Sequence, residues 1–163
     1  MSKDNIVVRE IRPDDNTQIE KVIKQTFIEY NLPKVGTAYE DAETPVMYES
    51  YQALKEQYFV IEENGIVQGG AGIKKLKGCE GSVCELQKMY FSPELRGRGL
   101  GKGMILHCLE FARNEGYEQC YLETAHGLNE ALGLYRRIGF QELDEPMGNT
   151  GHYSCGIWML KSL

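Results

Sequence analysis

A glycine-rich corner at residues 96–101, with the sequence Arg-Gly-Arg-Gly-Leu-Gly, constrains the fold of this chain more than any other feature. An apolar stretch typical of a strand precedes it, and apolar residues then recur every three or four positions from Leu100 to Phe111, which predicts a helix. The first turn of a helix has unpaired backbone N–H groups and partial positive charge, so strand, turn and helix together can bind phosphate. Glycines also let a ligand approach the backbone closely. We therefore interpret the corner as a pyrophosphate cradle.

Two commoner phosphate-binding motifs do not fit this corner. A Walker A loop needs Gly, four residues and then Gly-Lys-Ser/Thr, but Gly103 follows Gly101-Lys102, and Arg96 stands where the first glycine should be. The dinucleotide fingerprint G-x-G-x-x-G fails in both registers, because its third glycine falls on Lys102 or Met104. A surface turn that begins a helix is the remaining alternative.

The corner resembles the acetyl-CoA pyrophosphate motif, Q/R-x-x-G-x-G/A, of the GNAT superfamily of N-acetyltransferases. Residues 85–93 resemble the fourth strand of that family, residues 122–124 its fifth strand, and residues 131–140, with the pattern A-x-x-L-Y-x-x-x-G-F, its fourth helix. These matches cover about the C-terminal half of the chain in the expected order. The resemblance implies an α/β fold, with a mixed, mostly antiparallel sheet of about seven strands and helices on both faces.

The resemblance also implies where acetyl-CoA binds. Leu86 and Met89 both have the character of core residues yet lie three apart, which predicts a β-bulge between them. In the family such a bulge separates this strand from the next, and pantetheine pairs with the exposed backbone. Asn129 is one position away from the family's usual asparagine, which falls on Leu128 here, so Asn129 could equally be a helix N-cap. The predicted cofactor-binding residues are Met89, Tyr90, Phe91, Arg96, Gly97, Arg98, Gly99, Leu100, Gly101, Lys102, Asn129 and Tyr135.

Acetyl transfer from a thioester to an amine needs a base for the ammonium group and an acid for the leaving thiolate. Tyr135 matches the family's tyrosine and is the predicted acid; the alternative is a tyrosine packed under the sheet. Glu85 and Glu123 compete as the base, directly or through a water, and either could equally be a solvated strand residue. His126 and His152 are lesser candidates.

The tetrahedral oxyanion needs a hydrogen-bond donor, which we expect to be a backbone N–H near the bulge, at Met89 or Tyr90. None of the five cysteines has an evident base partner, so we expect direct attack in a ternary complex rather than an acyl-cysteine intermediate. The predicted function is acetyl transfer from acetyl-CoA to a primary amine of a small molecule or peptide. A non-catalytic CoA-binding sensor and a nucleotide-binding domain are the alternatives.

Length, net charge and composition further limit the kinds of protein this chain could be. A length of 163 residues favours a single domain spanning residues 1–163. The net charge of -6 argues against nucleic-acid binding and agrees with an amine substrate. No apolar run approaches the ~20 residues of a membrane span and no secretory signal is evident, so we expect no membrane partner and a cytoplasmic location. The spacing of the cysteines and histidines matches no zinc site, so no metal is expected. The sequence does not decide between a monomer and a homodimer.

The remaining pattern predicts a strand at residues 6–12, a helix to about Tyr30 and a second helix capped by Thr44 with Leu54 on its apolar face. A hairpin is predicted at residues 58–73, strands at 120–124, 140–143 and 153–160, and a helix at 129–138. The segment 33–44 shows no period and could be a surface loop or a lid over the acceptor. Acidic residues in and around it are a hint of a cationic acceptor: Glu29, Glu40, Asp41, Glu43 and Glu49.

Overall fold

The computed structural model describes residues 5–163. A seven-stranded sheet forms its centre, with the strands in the order β1-β2-β3-β4-β5-β7-β6. Every neighbouring pair is antiparallel except β4 and β5, which are parallel. The mixed, mostly antiparallel sheet is therefore as predicted. The strands are β1 (Ile6–Glu10), β2 (Gln57–Glu63), β3 (Ile66–Lys75), β4 (Val83–Phe91), β5 (Gln119–Ala125), β6 (Gln141–Leu143) and β7 (Gly156–Ser162).

Helices cover both faces of the sheet. They are α1 (Asn16–Glu29), α2 (Met47–Ser50), α3 (Leu100–Asn114) and α4 (Asn129–Ile138). Alternate residues of β2 point to opposite faces: Phe59 belongs to the core under α3 and α4, and Tyr58 to the core under α1 and α2. None of the helices within residues 5–163 is long and apolar enough to span a bilayer.

Several element boundaries differ from those predicted. The first strand ends at Glu10 rather than at residue 12. The second helix ends at Ser50, and Leu54 is 95% exposed, because the chain must reverse before β2 and Lys55 adopts a φ of 64°. Thr44 does not cap this helix; its hydroxyl donates to the Ala38 carbonyl at 2.6 Å. The last strand begins at Gly156 rather than Tyr153, whose side chain is 77% exposed. These errors fall in loops, where tertiary contacts outweigh local pattern.

The predicted β-bulge lies in β4. Gly70 of β3 is opposite Tyr90 and Gly72 is opposite Gln87, so Lys88 and Met89 together face one residue of β3. Lys88 has a φ of 47°, a left-handed conformation that turns the strand locally. The predicted bulge between Leu86 and Met89 is therefore confirmed.

Candidate active site

A cleft opens between β4 and β5. These strands pair only from Val83 to Glu85 and from Gln119 to Tyr121, and beyond that point the outer backbone edge of β4 has no strand partner within residues 5–163. The cleft has a volume of about 920 Å³. Its walls come from β4, β5, the glycine-rich corner, the start of α4, the end of α1 and the segment after it.

The corner forms the N-terminus of α3. Gly97 and Gly99 have φ values of 73° and 75°, which residues other than glycine rarely adopt. A Cβ on either residue would point into open space. A Cβ on Gly101 would lie 3.2 Å from the Leu134 side chain, so this glycine lets α3 begin close to α4. Open space beside unpaired helix amides fits a pyrophosphate group.

The two arginines of the corner do not share one role. Arg96 donates to the Phe91 carbonyl at 2.8 and 3.0 Å and pairs with Glu29 at the end of α1. Arg98 does not line the cleft, and its guanidinium pairs with Glu63 at 3.0 Å. Sequence reasoning placed the charge of Arg98 at the cradle, but the side chain is held at the end of β2. The other predicted cofactor-binding residues, Lys102 and Asn129 included, all line the cleft.

Tyr135 lies on α4 and faces the bulge. Its hydroxyl is 4.0 Å from the Met89 sulfur, and its ring packs against Phe140 with 6.0 Å between the ring centroids. Burial raises the pKa of Tyr135 to about 12. The phenol is therefore protonated at neutral pH and can donate a proton or a hydrogen bond toward the cleft.

Glu85 is buried at the base of the cleft, only 4% exposed. Burial raises the pKa of its carboxyl from the ordinary value of 4.5 to about 7. The Gln87 amide donates to Glu85 Oε1 at 2.6 Å, and the Tyr51 hydroxyl donates to Gln87 Oε1 at 2.7 Å. The alternative of a solvated strand residue is therefore wrong for Glu85, whose carboxyl is buried and held in place by Gln87.

Glu123 lies on β5, close to Glu85, and is half-buried. The Tyr121 hydroxyl donates to its Oε2 at 2.9 Å, and the Thr150 hydroxyl donates to its Oε1. Ligand atoms of Glu85, Glu123 and His152 all lie within 4.8 Å of one another. The structure thus brings both predicted carboxylates and one of the two histidines to one place, although they are far apart in the sequence.

Comparison with known proteins identifies the family. The family model described as "Acetyltransferase (GNAT) family" matches residues 21–140, which is most of the chain. The chain belongs to the GNAT family. It is an N-acetyltransferase of this family, as its motifs predicted.

Individual relatives of this GNAT chain match it over nearly its whole length, in sequence or in fold. It is 42% identical to the Escherichia coli (strain K12) protein named "Uncharacterized N-acetyltransferase YjgM" over 158 residues, 96% of this chain and 95% of the relative. A GNAT-family acetyltransferase from Staphylococcus aureus Mu50 has the same fold, with a TM-score of 0.86, 17% identity and coverage of 97% and 99%. The yncA protein from Salmonella typhimurium, solved with acetyl-CoA, gives a TM-score of 0.76 at 20% identity and coverage of 97% of this chain and 94% of that protein.

Sequence reasoning missed part of this GNAT site. Asp41 Oδ2 lies 2.6 Å from His152 Nε2 and 3.0 Å from Lys88 Nζ. Burial alone would lower the pKa of His152, but the hydrogen bond and charge of Asp41 raise it overall. Lys88, with a side chain only 3% exposed, also lies 3.4 Å from Glu43. The sequence pointed to parts of this network, through the acidic residues of segment 33–44 and through His152 as a candidate base, but not to Lys88 or to the contacts among them.

The remaining two predicted residues lie at the margin. His126 is exposed and does not line the cleft. Asn129 is exposed and is the first residue of α4. The N-cap position belongs to Leu128, whose side chain makes no capping hydrogen bond, so the N-cap alternative for Asn129 is wrong. The spacing of Glu85, Glu123 and His152 would also suit a metal ion, so the expectation of no metal stays a prediction.

Proposed function

We propose that this enzyme transfers the acetyl group of acetyl-CoA to a primary amine of a small molecule or peptide, by direct attack in a ternary complex. One observation carries the proposal: the buried carboxyl of Glu85 and the buried phenol of Tyr135 line the same cleft, beside a β-bulge that frees the edge of β4. A proton acceptor and a proton donor are the two groups that acyl transfer to an amine requires.

The geometry of the cleft supports a proposal for the residues that would hold acetyl-CoA. Backbone N–H groups of residues 97–102 would bind the pyrophosphate, and the edge of β4 at residues 89–91 would pair with pantetheine as an added strand would. When bound, acetyl-CoA supplies an acetyl group activated as a thioester. The backbone N–H of Met89 or Tyr90 is the proposed donor to the acetyl oxygen during transfer.

Glu85 is the proposed general base. A carboxyl with a pKa of about 7 accepts a proton effectively at neutral pH, directly from the ammonium group or through a water. Glu123 is the second candidate, because it lies within reach of the same space. As the new C–N bond forms and the C–S bond breaks, Tyr135 would donate its proton to the departing sulfur.

The chemistry of Cys155 supports direct attack. Its side chain lines the cleft, but burial and the nearby carboxylates raise the pKa of its thiol to about 12. The thiolate is the nucleophilic form, and almost none would be present at neutral pH. An acyl-cysteine intermediate on this residue is therefore disfavoured.

Free-thiol release from acetyl-CoA with a panel of primary amines tests the function. We expect release with at least one amine, and its near abolition in Tyr135→Phe while acetyl-CoA binding, measured by calorimetry, is retained. Tight binding of acetyl-CoA with no thiol release for any amine would instead indicate a CoA sensor. Thermal stabilisation by ATP or NAD but not by CoA would contradict the proposal.

A further inference from the structure

Two loops meet over the acceptor side of the cleft. The acceptor loops are residues 33–43, after α1, and residues 150–155, before β7, and both contribute residues to the cleft wall. The Ser154 N–H donates to the Gly36 carbonyl at 3.3 Å, and the Tyr153 ring packs so closely on Gly36 that a Cβ there would lie 2.5 Å from it. Together with the Asp41–His152 contact, these interactions join the loops and limit the size of what they enclose.

The charges on this side are already paired. Within residues 5–163, each cationic side chain that lines the acceptor side has an acidic partner: Lys88 has Asp41 and Glu43, Arg96 has Glu29, and His152 has Asp41. The carboxyl groups of Glu85 and Glu123 line the same space. Among the described residues, the other cations of the cleft wall are Lys102 and Arg137, which lie on α3 and α4, away from the acceptor loops. An acceptor carboxylate would therefore be desolvated near two acidic groups, with no unpaired cation on the acceptor side.

The rest of this wall is apolar. The Phe27 ring packs against Tyr90 and Tyr39, with centroid distances of 5.6 and 5.8 Å. Leu32 and Ala38 are buried beside Phe27 and also line the cleft. Apolar walls with a few polar groups at one end select ligands by shape, with the polar end fixing their orientation.

We propose that the acceptor is a small primary amine with an apolar body of about ring size and no carboxylate. This inference rests on the proposed acetyl transfer and narrows its substrate class. The ammonium group lies toward Glu85 and Glu123, and the apolar body lies against Phe27 and Tyr90. Amino acids are rejected by charge, and peptides by the joined acceptor loops.

The test compares acceptors that differ in charge, in bulk next to the amine and in the presence of an aromatic ring. The value of kcat/KM is measured for 2-phenylethylamine, L-phenylalaninamide and L-phenylalanine, each corrected for its fraction of free amine at the assay pH. It is also measured for spermidine, a polycationic amine without a ring. We expect 2-phenylethylamine to exceed L-phenylalanine by at least about a hundredfold, because an unpaired desolvated charge is costly. We expect L-phenylalaninamide to fall between them, since it has the bulk of the amino acid without its charge.

A variant tests the charge argument directly. Asp41→Asn removes the acid shared by Lys88 and His152, so the preference for 2-phenylethylamine over L-phenylalanine should fall at least severalfold. Asp14→Asn, an exposed position on the turn before α1, is the matched control and should leave the ratio unchanged. An unchanged ratio in Asp41→Asn would overturn the charge argument.

The outcomes of these assays distinguish the proposed acetyl transfer from the proposed class of acceptor. Turnover of L-phenylalanine or spermidine that equals or exceeds that of 2-phenylethylamine overturns the acceptor class and leaves acetyl transfer standing. Thiol release with no amine at all overturns the proposed function, and this inference with it.

Discussion

Replacing Glu85 by Gln tests the proposed base through its pH dependence. A carboxyl with a pKa of about 7 is ionised to about 9% at pH 6 and about 91% at pH 8. The amine substrate also ionises over pH, but that effect is common to both enzymes. The ratio of kcat/KM between wild type and Glu85→Gln should therefore rise about tenfold from pH 6 to pH 8, with its midpoint near 7, and reach at least about a hundredfold at pH 8.

The same raised pKa has a consequence for stability. A carboxyl whose pKa is raised in the folded state contributes stability that is complete below its unfolded pKa and is lost as pH rises through the folded value. The difference between 4.5 and about 7 corresponds to roughly 3 kcal/mol. The wild type should lose this stability as pH rises, whereas Gln at position 85 cannot ionise. The free energy of unfolding of Glu85→Gln minus that of wild type should therefore increase by about 3 kcal/mol from pH 4.5 to pH 8.

Urea unfolding at a series of pH values, together with steady-state kinetics, measures both effects. Glu142→Gln is the matched control for the kinetics, because Glu142 is exposed, pairs with Arg136 at the surface and does not line the cleft. Its kcat/KM should equal that of wild type at each pH. A kinetic ratio for Glu85→Gln that is flat from pH 6 to pH 8 would refute Glu85 as the base. If Glu123→Gln showed the dependence instead, the base would be Glu123.

Two further predictions concern Tyr135 and the cradle. Tyr135→Phe should lower kcat by at least about a hundredfold while the Kd for acetyl-CoA, measured by calorimetry, stays nearly constant, because only the proton donor is lost; an unchanged kcat would assign the tyrosine a packing role. Gly99→Ala should lower the free energy of unfolding by about 1–2 kcal/mol, since alanine disfavours a φ of 75°, and should weaken acetyl-CoA binding. Gly103→Ala, in the same helix with open space around it, should instead raise stability by about 0.5–1 kcal/mol without changing affinity; equal effects of the two substitutions would show that backbone conformation is not what the corner requires.

Local sequence was sufficient for the parts of the site that depend on backbone conformation. The glycines of the corner predicted close approach of a ligand to the backbone, and Gly97 and Gly99 leave open space there in a left-handed conformation. The interval from Leu86 to Met89 predicted the bulge, because a bulge changes the spacing of core residues along a strand. The periodic stripes of α3 and α4 likewise reflect one buried face each.

Contacts between distant loops are not indicated by any local sequence pattern. The pairing of Asp41 with His152 and Lys88 joins three segments, and no local pattern specifies which acid meets which cation. Arg98 was placed at the cradle by its charge, but the end of β2 supplies Glu63 as a partner. The short α2 follows from the reversal at Lys55, which the apolar stripe through Leu54 concealed.

A crystal structure with bound coenzyme A tests the central claim most directly. We expect the pyrophosphate within hydrogen-bonding distance of the amides of residues 97–102, and pantetheine along the edge of β4 at residues 89–91, with its sulfur near the Tyr135 hydroxyl. Coenzyme A bound elsewhere, or β4 and β5 paired beyond Glu85 with no space between them, would contradict it.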